Sequence, residues 1–100
     1  MEIKTTVDGS KATIEVDGKL TVQTAPDLEA AIGQLPADVC SFDIDLAAVS
    51  YVSSAGLRVF VAADQLATSR GGGMRLLHPV SEVMEVFDMT GLADVFTIEG

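Results

Sequence analysis

Ser50-Tyr51-Val52-Ser53-Ser54-Ala55-Gly56-Leu57-Arg58 is the stretch that decides how this chain is read, because an apolar strand pattern ends there and an apolar helical pattern begins. Upstream, Cys40, Phe42, Ile44 and Leu46 alternate with Ser41, Asp43 and Asp45, a period of two that puts the apolar set on one face of a strand. Downstream, Leu57, Phe60, Val61, Ala63 and Ala67, with Val59, Ala62 and Leu66 on the neighbouring stripe, give a helix with the wide apolar arc of a mostly packed element. The junction is strand, short turn, helix N-terminus. Ser53 or Ser54 is expected to satisfy an orphan N–H of the first turn, and Gly56 to let another backbone come close. A hydroxyl left free there suits a phosphate, since the dianion would face unpaired N–H groups and the positive end of the helix dipole. Arg58 lies four residues after Ser54, on the same helical face, and is the only cation between Lys19 and Arg70.

Toward the N-terminus, Ile3, Thr5 and Val7 alternate, Asp8-Gly9 marks a turn, and Ala12, Ile14 and Val16 alternate again before Asp17-Gly18, which together predict a β-hairpin. Lys19-Leu20 is expected to begin a third short strand. Thr24 is placed to cap a helix with Pro26 in its first turn, Asp27 at its positive end and Leu28, Ala31, Ile32 and Leu35 at helical spacing, ended by Pro36. Beyond the serine turn, Gly71-Gly72-Gly73 ends the long helix with the left-handed conformations glycine allows. Met74 to Leu77 forms a short strand broken by His78-Pro79. Ser81 is expected to cap a helix bearing Val83, Val86 and Phe87 and ended by Gly91, and Val95 to Ile98 to form an edge strand. Strand–helix–strand units imply parallel pairing with right-handed crossovers. The predicted fold is α/β: a small mixed sheet, an antiparallel N-terminal hairpin plus parallel strands, covered by helices in a single domain over residues 1–100.

Composition restricts the function. Apolar residues make up 48% of the chain and mean hydropathy is +0.38, which suits a well-filled globule. The longest apolar run, Val59 to Ala63, is far short of a membrane span of roughly 18 residues. Met1-Glu2-Ile3-Lys4 lacks the basic and apolar regions of a signal peptide, so the cytoplasm is the expected location. With 15 acidic and 6 basic residues the net charge is −9, which opposes contact with nucleic acid or an anionic membrane and favours a protein partner with a basic face. Cys40 is expected to be a small core residue.

Catalytic chemistry finds little material. A serine hydrolase needs a base, yet the only histidine is His78 at a strand end, and Ser54 lacks the glycine two positions before it that a nucleophile elbow requires. One histidine and one cysteine, far apart, make no metal site, and Asp43 with Asp45 is better read as a solvated or loop-anchoring pair than as a cation site. The triple glycine matches neither phosphate-loop spacing. The chain is therefore read as a binding protein without metal or cofactor of its own.

The serine turn, with Leu46 before it and the helix after it, resembles the STAS domain of bacterial anti-sigma factor antagonists, whose motif runs roughly Asp-Ser-Ser/Ala-Gly-Leu. The likeness extends to Gly18-Lys19-Leu20, to Thr24-Ala25-Pro26-Asp27-Leu28 and to Thr90-Gly91-Leu92 with Val95-Phe96, and so covers nearly the whole chain. The resemblance implies that Ser54, the serine after the motif's acid, is phosphorylated by a partner anti-sigma factor that is itself a serine kinase and supplies ATP and magnesium. It implies that the unmodified domain binds this kinase, that the phosphorylated one releases it, and that a serine phosphatase resets the cycle. Ser53 stands where the motif has aspartate, which makes it the second candidate acceptor.

Helical geometry adds the surface. At 100° per residue, Ser54, Arg58, Val61 and Gln65 fall within about 40° of one another. This stripe, with Ser53 and with Thr21 and Thr24 from the neighbouring loop, is the predicted partner face. The alternative function is a constitutive STAS scaffold or transporter-associated subunit, in which the serines only cap the helix.

Overall fold

The computed structural model describes residues 1–100. Strands β1 (Glu2–Asp8) and β2 (Lys11–Leu20) form the antiparallel hairpin, with Gly9 at φ 61° in the tight turn that the Asp-Gly pair signals. Then follow α1 (Ala25–Gly33), β3 (Ser41–Val52), α2 (Ser54–Ser69), β4 (Gly73–Leu77), α3 (Ser81–Thr90), a 3₁₀ turn over Leu92–Asp94, and β5 (Thr97–Glu99). The five strands lie side by side in sequence order, and every pair from β2 to β5 is parallel. The alternating apolar sets meet on one face: Ala12, Ile14 and Val16 of β2, Phe42, Ile44 and Leu46 of β3, and Met74 and Leu76 of β4 are all buried beneath the helices. There Phe60, Phe87 and Phe96 meet edge to face with ring centroids 5.8–6.3 Å apart, the arrangement aromatic quadrupoles favour.

The opposite face carries Thr6, Thr13, Asp43, Arg75 and Thr97 in one cross-strand row. Asp43 is buried within it and fully paired. Its carboxylate accepts from Arg75 Nε at 2.9 Å and Nη2 at 2.6 Å and lies 2.7 Å from Lys11 Nζ, while Arg75 Nη1 reaches Glu99 Oε2 at 2.6 Å. These bonds tie β2, β3, β4 and β5 together. The Arg75 guanidinium holds the Asp43 carboxyl below its ordinary value against the opposing effect of burial, with Lys11 assisting, and Asp43 in turn raises the pKa of Arg75. Asp45 Oδ1 accepts from the Ala47 N–H at 2.9 Å.

Several local expectations need correction. Lys19-Leu20 does not start a third strand; β2 runs through Gly18, whose φ of 122° is tolerated because the residue is glycine. Opposite, β3 carries one extra residue between the partners of Glu15 and Asp17 and another, Ser50, between those of Gly18 and Lys19. These bulges leave Ala47 and Ala48, and then Ser50 and Tyr51, as adjacent exposed pairs that strict alternation would not allow. Thr24 occupies the N-cap of α1 but its side chain caps nothing, and the N-cap of α3 is Val80, with Ser81 Oγ bonded to Glu82 Oε1 instead. Of the three glycines after α2, only Gly71 is left-handed, at φ 86°; Gly71 N donates to Thr68 O and Gly72 N to Ala67 O, which closes the helix in a Schellman motif. Gly72 is required for a different reason, since a Cβ there would lie 1.8 Å from the Cys40 carbonyl oxygen. Val95 and Phe96 precede β5 rather than join it.

Candidate functional site

The two serines of the turn have different tasks. Ser53 is extended, at φ −87° and ψ 174°, and its N–H donates to Leu20 O at 2.7 Å, fastening the end of β3 to the end of β2. Its Oγ accepts from Gly56 N at 3.3 Å and so caps α2, and the residue is half-buried. Gly56 is buried against β2 and β3; a Cβ at this position would stand 3.0 Å from both Leu20 Cβ and Val52 Cγ1. The missing side chain lets the helix N-terminus lie close against the strand ends. Ser54 is the first helical residue, is exposed, and takes no part in the cap.

Along α2, Arg58 and Gln65 are exposed like Ser54, and Arg58 enters no ion pair within the chain. Val61 is half-buried and packs against the core, so it contributes an edge rather than a full side chain to the stripe. Thr21 and Thr24 lie beside the turn, but their hydroxyls are consumed by the loop. Thr24 Oγ1 accepts from Thr21 N at 2.8 Å and donates to Lys19 O at 2.5 Å, while Thr21 Oγ1 accepts from Gln23 N at 3.2 Å. The loop these bonds build displays Val22, which is 70% exposed.

Val22 and Tyr51, the latter 50% exposed, are the apolar residues that sequence reasoning passed over. Val22 follows β2 in the loop beside the turn, and Tyr51 precedes the serines in β3, opposite Lys19 of β2. A shallow depression of about 240 Å³ opens between α1 and α2, lined by Val22, Pro26, Ala55, Arg58 and Val59 among others. The surface around Ser54 thus combines an exposed apolar side chain, a cation without an ion pair and a hydroxyl that takes no part in the helix cap. A signal for Val22 existed in the sequence, an aliphatic residue inside a polar loop; Tyr51 was hidden by the bulge. His78 is not brought to the serines. The ladder between β3 and β4 stops at Asp45 and Leu77, and β3 continues from Leu46 to Val52, roughly 20 Å at about 3.3 Å per residue. No helix of the chain is long and apolar enough to cross a membrane.

Comparison with known proteins places this geometry. A family model described as "Mlab, STAS domain" matches residues 3–98. The anti-sigma-B factor antagonist of Bacillus subtilis is 32% identical over 85 residues, covering 85% of this chain and 78% of that one. The crystal structure of an anti-sigma factor antagonist from Mycobacterium paratuberculosis superposes with a TM-score of 0.85 at 26% identity, over 98% of this chain and 84% of that one. The anti-sigma factor antagonist SpoIIAA in its unphosphorylated form shares the fold with a TM-score of 0.80 at 20% identity, over 97% and 87% of the two chains. Its phosphorylated form, described as a Bacillus cell fate determinant, superposes at 0.75 with 18% identity, over 97% and 90%.

Proposed function

Since the chain belongs to the STAS domain family, we propose that it is an anti-sigma factor antagonist whose partner face is switched by phosphorylation of Ser54. The carrying observation is the division of labour in the turn: the Ser53 hydroxyl is committed to the helix cap, whereas the Ser54 hydroxyl is exposed and committed to nothing in that cap. The name borne by the Bacillus subtilis relative, and the existence of SpoIIAA in phosphorylated and unphosphorylated forms, support this reading.

In this scheme the unmodified face, with Val22, Tyr51, Arg58 and Gln65 around Ser54, binds a kinase-type anti-sigma factor and keeps it from its sigma factor. The kinase brings ATP and magnesium. Ser54 Oγ attacks the γ-phosphorus, ADP leaves, and the hydroxyl proton passes to a base. Ser53 stands where the family motif has an acid, so no carboxylate adjoins Ser54 in sequence and the base belongs to the kinase. The phosphoserine carries about −1.5 to −2 charge into the middle of a contact surface, where desolvation and repulsion release the partner without refolding the domain. A phosphatase restores the hydroxyl.

The test is incubation with ATP and a kinase-type anti-sigma factor from the same host, followed by mapping of the phosphate by mass spectrometry. Ser54→Ala is expected to abolish modification and Ser53→Ala to retain it, while Ser54→Asp weakens binding of the kinase. Modification confined to Ser53, or no modification together with equal binding by wild type and Ser54→Asp, would overturn the switch. The second of these results favours a constitutive scaffold, a reading that the missing acid before Ser54 supports.

A further inference from the structure

Strand β1 is the long open edge of the sheet. It pairs with β2 on one side only, in unbroken register from Glu2 to Asp8, whereas the other edge, β5, has three residues. Edge strands offer unpaired N–H and C=O groups to any passing strand, and proteins usually blunt them with proline, a bulge or short length. β1 has none of these; its guards are the charges of Glu2, Lys4 and Asp8. On the helix side, Ile3, Thr5 and Val7 form one wall of a depression of about 480 Å³ whose other wall is Ala31, Leu35 and Pro36, and Val7 is 45% exposed. On the opposite side, strand alternation places Lys4, Thr6 and Asp8. Lys4 and Asp8 are exposed and form no ion pair within the chain.

We propose that β1 is a self-association edge, to which a second copy of this chain adds its own β1 antiparallel, with Thr6 on the two-fold axis. The occupant follows from self-complementarity. In an antiparallel pair, facing residues share a side of the sheet, so the axis must pass through a residue rather than between two. An axis at Lys4 sets Lys4 against Lys4, and one at Thr5 sets Glu2 against Asp8; like charges directly opposite are destabilising. An axis at Val7 leaves both charges without opposite partners. An axis at Ile3 pairs Glu2 with Lys4 but leaves Val7 in water. Only the axis at Thr6 faces Lys4 with Asp8 twice, and sets Val7 against Thr5 twice on the helix side. The ladder supplies main-chain hydrogen bonds, the two depressions join across the axis, and a sheet of twice the width results.

Analytical ultracentrifugation of the full chain, from about 10 µM to about 1 mM, tests the edge through two exposed substitutions that touch no core residue. The wild type is expected to dimerise within this range. Lys4→Asp and Asp8→Lys are each expected to weaken the dimer at least about tenfold, because each turns both ion pairs into like-charge contacts. An equimolar mixture of the two variants is expected to recover wild-type association, since every introduced charge then faces its opposite. A wild type that stays monomeric to 1 mM, variants that dimerise as the wild type does, or a mixture that fails to recover overturns the proposal. Recovery in the mixture also shows that both variants are folded.

Discussion

Replacing Gly72 by alanine tests the glycine with the least room for a side chain. The added Cβ would stand 1.8 Å from the Cys40 carbonyl oxygen and 2.5 Å from its carbon, about 1.5 Å short of the roughly 3.3 Å at which carbon and a carbonyl oxygen normally meet. The obstacle is backbone, so no rotamer change relieves it. Either the turn after α2 or the start of β3 must move, and two hydrogen bonds lie in the way: Gly72 N to Ala67 O at 2.9 Å and Gly73 N to Cys40 O at 3.1 Å. Losing both costs about 1 kcal/mol each, and forcing the segments apart adds about 1–3 kcal/mol, so the substitution is expected to remove about 3–5 kcal/mol. That is a large share of the ~5–15 kcal/mol available to a domain of this size, and at about 4–8 °C per kcal/mol it lowers Tm by more than roughly 12 °C. Urea and thermal unfolding followed by circular dichroism measure the loss. Gly73→Ala is the control, because a Cβ there meets nothing within 4 Å, and it is expected to stay within about 1 kcal/mol of wild type. A Gly72→Ala protein as stable as that control would refute the reasoning and show that the turn has slack.

Asp43→Asn keeps the shape of a buried carboxylate while removing its charge from between Arg75 and Lys11, and about 2 kcal/mol of stability is expected to go with it at pH 7. The folded pKa of Asp43 is held below the ordinary carboxylate value, so its contribution is present above that ordinary value and fades as pH falls through the folded pKa; urea midpoints of wild type and variant should converge only in strong acid. Ser53→Ala should cost about 1 kcal/mol of helix capping, while Ser54→Ala should change stability by less than about 0.5 kcal/mol, as paired denaturation curves would show. Tyr51→Ala and Val22→Ala are expected to weaken an anti-sigma factor by on the order of 1–2 kcal/mol in calorimetry with Tm unchanged; wild-type affinity in both would move the partner face elsewhere.

The architecture was legible because its elements are locally self-consistent: the Asp8-Gly9 turn, the alternation through Leu46 and the helical spacing from Leu57 to Ala67 each need no distant information. The errors arise where a local signal had a competitor. Asp17-Gly18 has the composition of a turn, but the glycine serves a strand running past a bulge. Thr24 has the position of a cap, yet Lys19 O and Thr21 N claim its hydroxyl. Asp43 alternates like a solvated residue and becomes buried only because Lys11 and Arg75 arrive from β2 and β4. The serine turn is legible in the sequence, but which serine caps depends on where β3 ends, and Ser53 is still extended there with its N–H bonded to Leu20 O. Tyr51 was missed because the extra residue Ser50 has no sequence signature.

The overhang of β3 beyond β4 gives the molecule a cantilever. From Leu46 to Val52 the strand pairs with β2 alone, while Leu46, Val49 and Val52 stay buried in the core, and the serines follow at its end. A group added at that end would lie beyond the β3–β4 ladder, which stops at Asp45 and Leu77, and so would ask for no change in that pairing.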